Sequence, residues 1–289
     1  MRGIILSGGY GTRLYPSTIS ISKQIIPLYD KPMIYYPLSV LMLSGIKEIM
    51  IISSKEHLNL FKKQFGNGHQ LGITIEYAAQ TKPNGIPESF IIAEDFINKS
   101  PITLILGDNF FYGQKLGSLL QASYSLKRGA NIFLHQVNNP KEYGVVKLSS
   151  KNNIQAIYEK PKKYISNYAI TGLYVFDKNV VDYTKKLKFS KRKELEITDL
   201  IKIYLKNNLL NYNLLGRGYT WFDAGTHDSL LLASQFIKAI EERQGFKIGC
   251  IEEISYINGW INILNLKKHL IKFENSSYGK YLNNIIKIN

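Results

Sequence analysis

Four short stretches of the 289-residue chain carry side chains whose type and spacing suit phosphate chemistry. The first is Gly8-Gly9-Tyr10-Gly11-Thr12-Arg13-Leu14, directly after the apolar run at 3–7. Glycines let a backbone turn tightly and bring its N–H groups against phosphate oxygens, and Arg13 adds a planar positive fork for a polyphosphate. Lys23 and Gln24 follow closely, so a second cation can reach the same phosphates. The stretch is neither a Walker loop, since no Gly-Lys-Ser/Thr follows, nor a dinucleotide G-x-G-x-x-G. A glycine turn of purely structural use is the alternative, and Arg13 and Lys23 weigh against it. The second stretch is Leu106-Gly107-Asp108-Asn109, where an apolar run ends in an acid. Ligand sites of parallel sheets lie at the carboxyl ends of strands, and a carboxylate there can hold Mg2+ against a triphosphate; a solvated turn aspartate is the competing reading. The third, Trp221-Phe222-Asp223-Ala224-Gly225-Thr226, repeats the pattern. Mg2+ usually takes one or two carboxylates plus substrate oxygens, so Asp108 and Asp223 can share one ion, unless Asp223 simply caps the following helix. In the fourth, Glu159-Lys160-Pro161, Lys160 can bind a second phosphate and Glu159 can accept from sugar hydroxyls, or the two form a surface ion pair.

The elements that must position these residues alternate through the first half. Residues 3–7 read as a short buried strand. A helix starts at Pro32, where a missing N–H costs nothing; its apolar face is Ile34, Leu38, Leu41 and Met42, and Gly45 stops it. Strand 48–53, helix 56–65, strand 73–78, helix 87–97 and strand 102–107 follow. That rhythm predicts right-handed crossovers and a mainly parallel sheet. The middle third reads as strands 132–137, 145–148, 154–159 and 168–176 with little helix between, expected as mixed strands beside the first half. After Asp223 the pattern is mostly helical, expected as a cap or a subunit interface.

Composition narrows the class. A hydrophobic content of 45% is ample for a large core, in one large α/β domain or two small ones. No apolar run approaches the roughly 18 residues of a membrane span, and the N-terminal apolar run is too short for a secretion signal. The single cysteine, Cys250, excludes an intramolecular disulfide framework. These features lead us to expect a soluble cytoplasmic protein. The formal net charge of +15 is spread in ones and twos (Lys62-Lys63, Lys162-Lys163, Lys185-Lys186, Lys267-Lys268), without the blocks of a nucleic-acid binder, and reads as a composition bias. The five histidines show no metal spacing, and Cys250 has no recognisable catalytic setting.

The four stretches belong to a longer ordered set. It comprises Gly8-Gly9-x-Gly11-Thr12-Arg13-Leu14, Ser22-Lys23-Gln24, Asp30-Lys31-Pro32-Met33-Ile34, Gly107-Asp108-Asn109, Tyr143-Gly144-Val145-Val146 and Glu159-Lys160-Pro161. Then come Thr171-Gly172-Leu173-Tyr174, Glu194-Leu195-Glu196-Ile197-Thr198-Asp199, Gly216-Arg217-Gly218 and Phe222-Asp223-x-Gly225-Thr226-His227. With them the sequence resembles the glucose-1-phosphate thymidylyltransferase family of sugar nucleotidyltransferases, from Met1 to about Tyr281. The resemblance implies an α/β, Rossmann-like three-layer nucleotidyltransferase fold, with a mixed, mainly parallel central sheet and a helical C-terminal region. It implies a single domain, 1–289, with a nucleotide-binding half to about 130, a sugar-phosphate half over about 131–226 and a helical interface or regulatory region over about 227–289. A homotetramer and a cytoplasmic location go with it.

The implied reaction passes a thymidylyl group from dTTP to glucose 1-phosphate with Mg2+, giving dTDP-glucose, the first step of dTDP-sugar (for example dTDP-rhamnose) synthesis. By resemblance, Gly8, Gly11, Thr12, Arg13 and Lys23 cradle the triphosphate, Gln24 touches the deoxyribose, and Gln80 and the backbone at Gly85 read the thymine. Asp108 and Asp223 hold Mg2+, with Asn109 beside them. Tyr143, Gly144, Glu159, Ile170 and Tyr174 line the sugar, and Lys160 and Arg192 hold its phosphate. Arg13, Lys23, Asp108 and Asp223 form the catalytic set. The chain departs from the family pattern at Pro87-Glu88, where Pro87 removes a backbone donor and Glu88 adds charge beside the base pocket, and at Tyr10, where the usual residue is small. Many relatives also bind the pathway end product at a second site. Its parts here would be Tyr112-Gly113, Gly216-Arg217 and the segment after Glu252-Glu253, where Ile257 stands in place of a family arginine; weak feedback is the expectation. Close rivals are an enzyme for another base or sugar, such as a uridylyltransferase, and a non-catalytic binding module, which the intact Arg13, Lys23, Asp108, Lys160 and Asp223 oppose.

Overall fold

Strand β1 (Arg2–Ser7) is buried from Gly3 onward and sits inside a nine-stranded mixed sheet. The structure, a computed structural model, describes residues 1–125 and 128–288. After β1 the chain forms a small antiparallel pair, β2 (Pro27–Leu28) and β3 (Lys31–Pro32), then helix α1 (Tyr35–Leu43). The helix therefore begins later than Pro32, because Lys31 and Pro32 are drawn into that pair. Strand β4 (Glu48–Ser54), helix α2 (Leu58–Phe65) and strand β5 (Thr74–Gln80) follow as the sequence suggests. The helix expected over 87–97 is broken at Ala93 (φ −95°, ψ 15°) into α3 (Glu88–Ile92) and α4 (Glu94–Ile97). Strand β6 (Ile102–Leu106) closes this half. β4 and β6 flank β1, β5 lies outside β4, and all of these pairings are parallel.

The next strand, β7 (Asn109–Gly113), leaves the main sheet, and α5 (Leu116–Ala122) follows it. The expected middle strands are β8 (Ala130–Gln136), β9 (Gly144–Leu148), β10 (Ile154–Glu159) and β11 (Tyr168–Phe176). β11 runs antiparallel to β6 and joins the two halves of the sheet. β8 and β9 pair with β11, and β10 with β9, all antiparallel. Helices α6 (Val180–Thr184) and α7 (Ile197–Lys206) precede β12 (Leu210–Leu215), which pairs parallel with β8. β13 (Tyr219–Asp223) then pairs antiparallel with β7 as a separate ribbon, with Asp223 opposite Asn109. The helical tail is α8 (His227–Gln244), α9 (Ile251–Ile257), α10 (Ile263–Phe273) and α11 (Ser277–Ile288).

Period-two alternation explains the layers. Ile5, Ile49, Ile51 and Ile105 face one apolar cluster with α1, α2 and α9, whereas Ile4, Leu6, Met50 and Leu104 face another with α3, α4, α6 and α7. The sheet is thus covered by helices on both faces, which leaves its strand ends as the place for polar chemistry.

Candidate active site

The glycine stretch leaves the carboxyl end of β1, with Gly9 and Gly11 at φ 93° and 62°. Thr18 donates its hydroxyl to the Gly11 carbonyl at 2.8 Å, and a single 3-10 turn, Thr12–Leu14, buries Leu14 and leaves Arg13 half exposed. Tyr10 points to solvent. A second turn, Lys23–Ile25, buries Gln24, whose carbonyl oxygen accepts from the Ser22 hydroxyl at 2.6 Å.

The two aspartates meet where β6 ends and the β7–β13 ribbon begins. Lys23 Nζ is ion-paired with Asp108 Oδ2, and Asn109 Nδ2 donates to Asp108 Oδ1 at 3.0 Å. Asn109 Oδ1 in turn accepts from the Gly172 amide at 3.0 Å and from Trp221 Nε1 at 2.6 Å. The Asn109 carbonyl oxygen is therefore committed to the protein. It ties β7 to β11 and β13, while the Asn109 amide holds the Asp108 carboxylate. Burial would raise the Asp108 carboxyl, but the Lys23 ammonium and its hydrogen bond, with the Asn109 amide, hold it below its ordinary value. Asp223 goes the other way. Burial first, and then the facing Asp108 charge, push it up to about 6, although Lys23 and Arg13 pull it down. Its Oδ1 is buried without a hydrogen-bond partner, and Arg13 Nη2 stands 3.9 Å from its Oδ2.

An unpartnered carboxylate oxygen beside a second carboxylate is a hard-oxygen donor set of the kind Mg2+ takes. Among the described residues no group of three or more His, Cys, Asp or Glu side chains could hold a metal. A cation here would therefore draw its remaining ligands from substrate oxygens and water.

A cavity opens beside Asp223, lined by Tyr143, Gly144, Glu159, Lys160, Ile170, Tyr174 and Arg192. Glu159, at the end of β10, and Gly144, at the start of β9, are register partners. Thr198 donates its hydroxyl to Glu159 Oε2 at 3.0 Å; burial raises this carboxyl despite that bond. Burial likewise raises the Tyr174 phenol, helped by Glu159. Arg192 is ion-paired with Glu196 at 2.6 Å and with Glu159 and Glu194 at 3.4 Å each. It is thus poised among three carboxylates and is not a free fork. The Tyr143 ring lies against Trp221, with centroids 5.0 Å apart. Thr198, Glu196 and Trp221 join the site without having been given roles from sequence, although each lies within or beside one of the ordered motifs.

The third part is the loop after β5. A Cβ on Gly8 would collide with Gln80 Oε1, and Gly85 (φ 109°) packs so closely that a Cβ would enter the Leu195 carbonyl. The Leu195 amide donates to the Asn84 carbonyl at 2.7 Å, so this loop rests on the segment that carries Arg192. Gln80 Nε2 and Asn84 Nδ2 each donate at 2.7 Å to one oxygen of Glu88. Pro87 sits at the N-cap of α3, where its missing N–H is harmless. Contacts thus link every part: Gly8 to Gln80, Lys23 to Asp108, Arg13 to Asp223 and Gly85 to Leu195. A second cavity is lined by Tyr112, Gly113, Lys115, Lys247 and Ile257; Gly216 and Arg217 are not among its lining residues.

A glycine turn for phosphate, a carboxylate pair at the strand ends and a neighbouring polar cavity define a transferase of nucleotidyl groups. The nucleotidyl transferase family model matches residues 2–240. The chain is 45% identical to glucose-1-phosphate thymidylyltransferase of Neisseria meningitidis over 287 residues, covering 99% of this chain and all of that protein. It is 47% identical to the protein of the same name from Xanthomonas campestris over 286 residues (99% and 97% covered), and 44% identical to that of Mycobacterium tuberculosis over the full length of both. A crystal structure of a putative glucose-1-phosphate thymidylyltransferase from Bacillus anthracis, in complex with a sucrose, superposes with a TM-score of 0.77 at 40% identity, covering 82% of this chain and 94% of that one. UDP-glucose pyrophosphorylase complexed with UDP-glucose gives a TM-score of 0.73 at 21% identity, covering 82% and 98%, and shares the fold. The chain belongs to the nucleotidyl transferase family and, within it, to the glucose-1-phosphate thymidylyltransferases.

Proposed function

We propose that the protein transfers the thymidylyl group of dTTP to α-D-glucose 1-phosphate, giving dTDP-glucose and pyrophosphate. The observation that carries the reading is the facing pair Asp108 and Asp223, set between the glycine turn and the cavity that holds Glu159, Lys160 and Arg192. An oxygen of the sugar phosphate attacks the α-phosphorus, the bond to the β-phosphate oxygen breaks, and pyrophosphate leaves opposite. The attacking oxygen is already an anion, so no general base or protein nucleophile is needed. Catalysis is alignment and charge neutralisation of two mutually repelling anions. The glycine turn presents backbone N–H groups to the triphosphate, Arg13 and Lys23 offset its charge, and Lys160 and Arg192 hold the sugar phosphate. Glu159 accepts from sugar hydroxyls, and Gln80 with the Gly85 backbone reads the base. Asp108 and Asp223 would hold Mg2+, which supplies Lewis-acid neutralisation of phosphate charge when bound.

The same reading takes the chain as one domain, with nucleotide, sugar-phosphate and interface regions in that order, working in the cytoplasm, where nucleoside triphosphates are made, and feeding dTDP-sugar synthesis such as that of dTDP-rhamnose. It includes a homotetramer, which the exposed apolar side chains Leu231, Leu232, Ile257, Leu264 and Ile271 of the C-terminal helices support. The deciding experiment is pyrophosphate release from glucose 1-phosphate with dTTP, UTP, CTP, ATP or GTP in the presence of Mg2+. dTTP is expected to be best and UTP poorer. No release with dTTP, or a clear preference for UTP, overturns the assignment.

A further inference from the structure

The sequence spreads its basic residues in ones and twos, but the fold gathers two such groups at the mouth of the cavity beside Asp223. The loop at 160–163 holds Lys160, Lys162 and Lys163, and the loop at 188–193 holds Lys188, Lys191, Arg192 and Lys193. Seven of these ten residues are basic, against 37 of 289 in the whole chain, so a general bias toward lysine does not account for them. Lys160 and Arg192 both line the cavity, and Arg192 reaches Glu159, the chain neighbour of Lys160, at 3.4 Å. The two loops therefore meet at one opening. Backbone bonds hold each of them. The Lys160 amide donates to the Tyr143 carbonyl at 3.1 Å. The second loop is a closed turn, in which the Ser190 amide donates to the Glu194 carbonyl and the Lys193 amide to the Ser190 carbonyl, both at 2.9 Å. Lys160 and Lys193 sit at φ 39° and 61°, a backbone region that lysine seldom adopts.

The nearby carboxylates do not cancel this charge. Glu159, Glu194 and Glu196 all engage Arg192. The six lysines are exposed, and among the described residues none of them is ion-paired. Lys162 and Lys163 lie within three residues of Lys160, and Lys191 and Lys193 flank Arg192. Their backbone is thus within about 10 Å of a cavity-lining residue, which is about one screening length in ~0.1 M salt. Resting on the reading of this cavity as the sugar-phosphate site, we propose that Lys162, Lys163, Lys191 and Lys193 form an electrostatic collar that draws the dianionic sugar phosphate to the cavity without touching it. Four unit charges about 10 Å from a dianion, in water with ~0.1 M salt, raise its concentration at the mouth about tenfold. Salt of ~0.5 M shortens the screening length to about 4 Å and removes the gain. The collar acts on the free substrate, so it lowers KM and leaves kcat alone. It favours the sugar phosphate over dTTP, because the glycine turn lies on the other side of the aspartate pair.

The test compares wild type with a collar variant carrying Lys162→Gln, Lys163→Gln, Lys191→Gln and Lys193→Asn, the asparagine chosen because it tolerates a left-handed backbone. A control variant loses the same charge elsewhere, through Lys62→Gln, Lys63→Gln, Lys267→Gln and Lys268→Gln on the exposed faces of α2 and α10. In ~0.1 M salt the collar variant is expected to show kcat/KM for glucose 1-phosphate about tenfold lower, with kcat and the kcat/KM for dTTP near those of wild type. In ~0.5 M salt the two proteins should converge, and the control should follow wild type throughout. Equal loss in the control would assign the effect to net charge and overturn the proposal. A loss that persists in high salt, or that falls on kcat, would mean that the lysines act by contact or by shaping the loops, and would also overturn it. The second arm needs no turnover: equilibrium binding of glucose 1-phosphate at the two salt levels. A wild type that releases no pyrophosphate from dTTP, but binds glucose 1-phosphate about tenfold better than the collar variant in ~0.1 M salt, sinks the thymidylyl reading and keeps the collar. Normal use of dTTP with binding indifferent to the four lysines sinks only the collar.

Discussion

Asp223→Asn should make the protein more stable while removing its activity. The native Asp223 carboxyl is pushed from its ordinary 3.8 to about 6, by burial and then by the facing Asp108. A raised folded-state value for an acid means that its contribution to stability is fully present below the unfolded value. That contribution is lost as pH rises through about 6. A shift of about two units corresponds to ~3 kcal/mol set against the folded state once the group is ionised. Asparagine has the same shape and no charge, and its NH2 would add a donor beside the Asp108 carboxylate, whereas Asp223 Oδ1 is now buried without a hydrogen-bond partner. Urea denaturation in a chelator should therefore show Asp223→Asn more stable than wild type by about 1–3 kcal/mol near pH 8, the gap closing toward pH 4. Adding Mg2+ should then stabilise the wild type and leave the variant nearly unmoved, because only the native pair offers two anionic oxygens to the ion. A variant no more stable than wild type in chelator near pH 8 would refute the argument, since it would mean that the ionised carboxylate carries no penalty in the fold.

Asp108→Asn and Asp223→Asn should each lower kcat by about 10²-fold or more in the pyrophosphate assay; near-normal turnover would remove that residue from the metal site. Trp221→Phe deletes the indole donor to Asn109 Oδ1 and is expected to cost about 1–3 kcal/mol in denaturant unfolding, with a fall in kcat, because Asn109 also holds Asp108. Feedback by a dTDP-sugar end product at the cavity of Tyr112, Lys115 and Ile257 should be weak. There Lys247 is already tied to Asp30 and Glu241, and Ile257 brings no charge; Ile257→Arg should tighten inhibition about 10- to 100-fold, and strong wild-type inhibition unchanged by it would count against this view.

The parts of the site that were legible in the sequence are those where a period stops at a chemical residue. Asp108 and Asp223 each end an apolar run, and the glycines follow β1 at once, so strand ends and acids could be read together. The ribbon of β7 and β13 that brings the acids face to face was not legible. It is short and lies off the main sheet, and its register depends on the long-range bond from Trp221 to Asn109. β12 carries no clear strand signal because Asn211 and Asn213 disfavour strands, and its parallel pairing with β8 overrides them. The helix expected over 87–97 shows a continuous apolar pattern, yet it breaks at Ala93, where packing of α3 and α4 on the sheet overrides propensity. The clamp of Glu88 on Gln80 and Asn84 has no periodic signature, because its members meet across a loop.

The packing also couples the two regions proposed to bind the two substrates. Gly85 lies flat on the backbone of Leu195, and the Leu195 amide bonds to Asn84, so the loop after β5, proposed above to read the base, is in direct contact with the segment that carries Arg192. Neither can shift by the width of a methyl group without moving the other, because a close-packed backbone contact leaves no slack. Arg192 meanwhile is shared among Glu159, Glu194 and Glu196, with the closest contact to Glu196. In the proposed reaction an arriving sugar phosphate would compete with the two longer contacts, and the Glu196 contact would keep the guanidinium aimed as they exchange. On that proposal Glu159, released from part of its charge partner, would be free to accept from the sugar while Thr198 still donates to it. On the proposed reading, the charges of two anionic substrates would be met in part by cations, Arg13, Lys23 and Arg192, that carboxylates already hold in place. The energetic cost of ordering those cations falls on folding, before either substrate arrives, which is the preorganisation an in-line transfer needs.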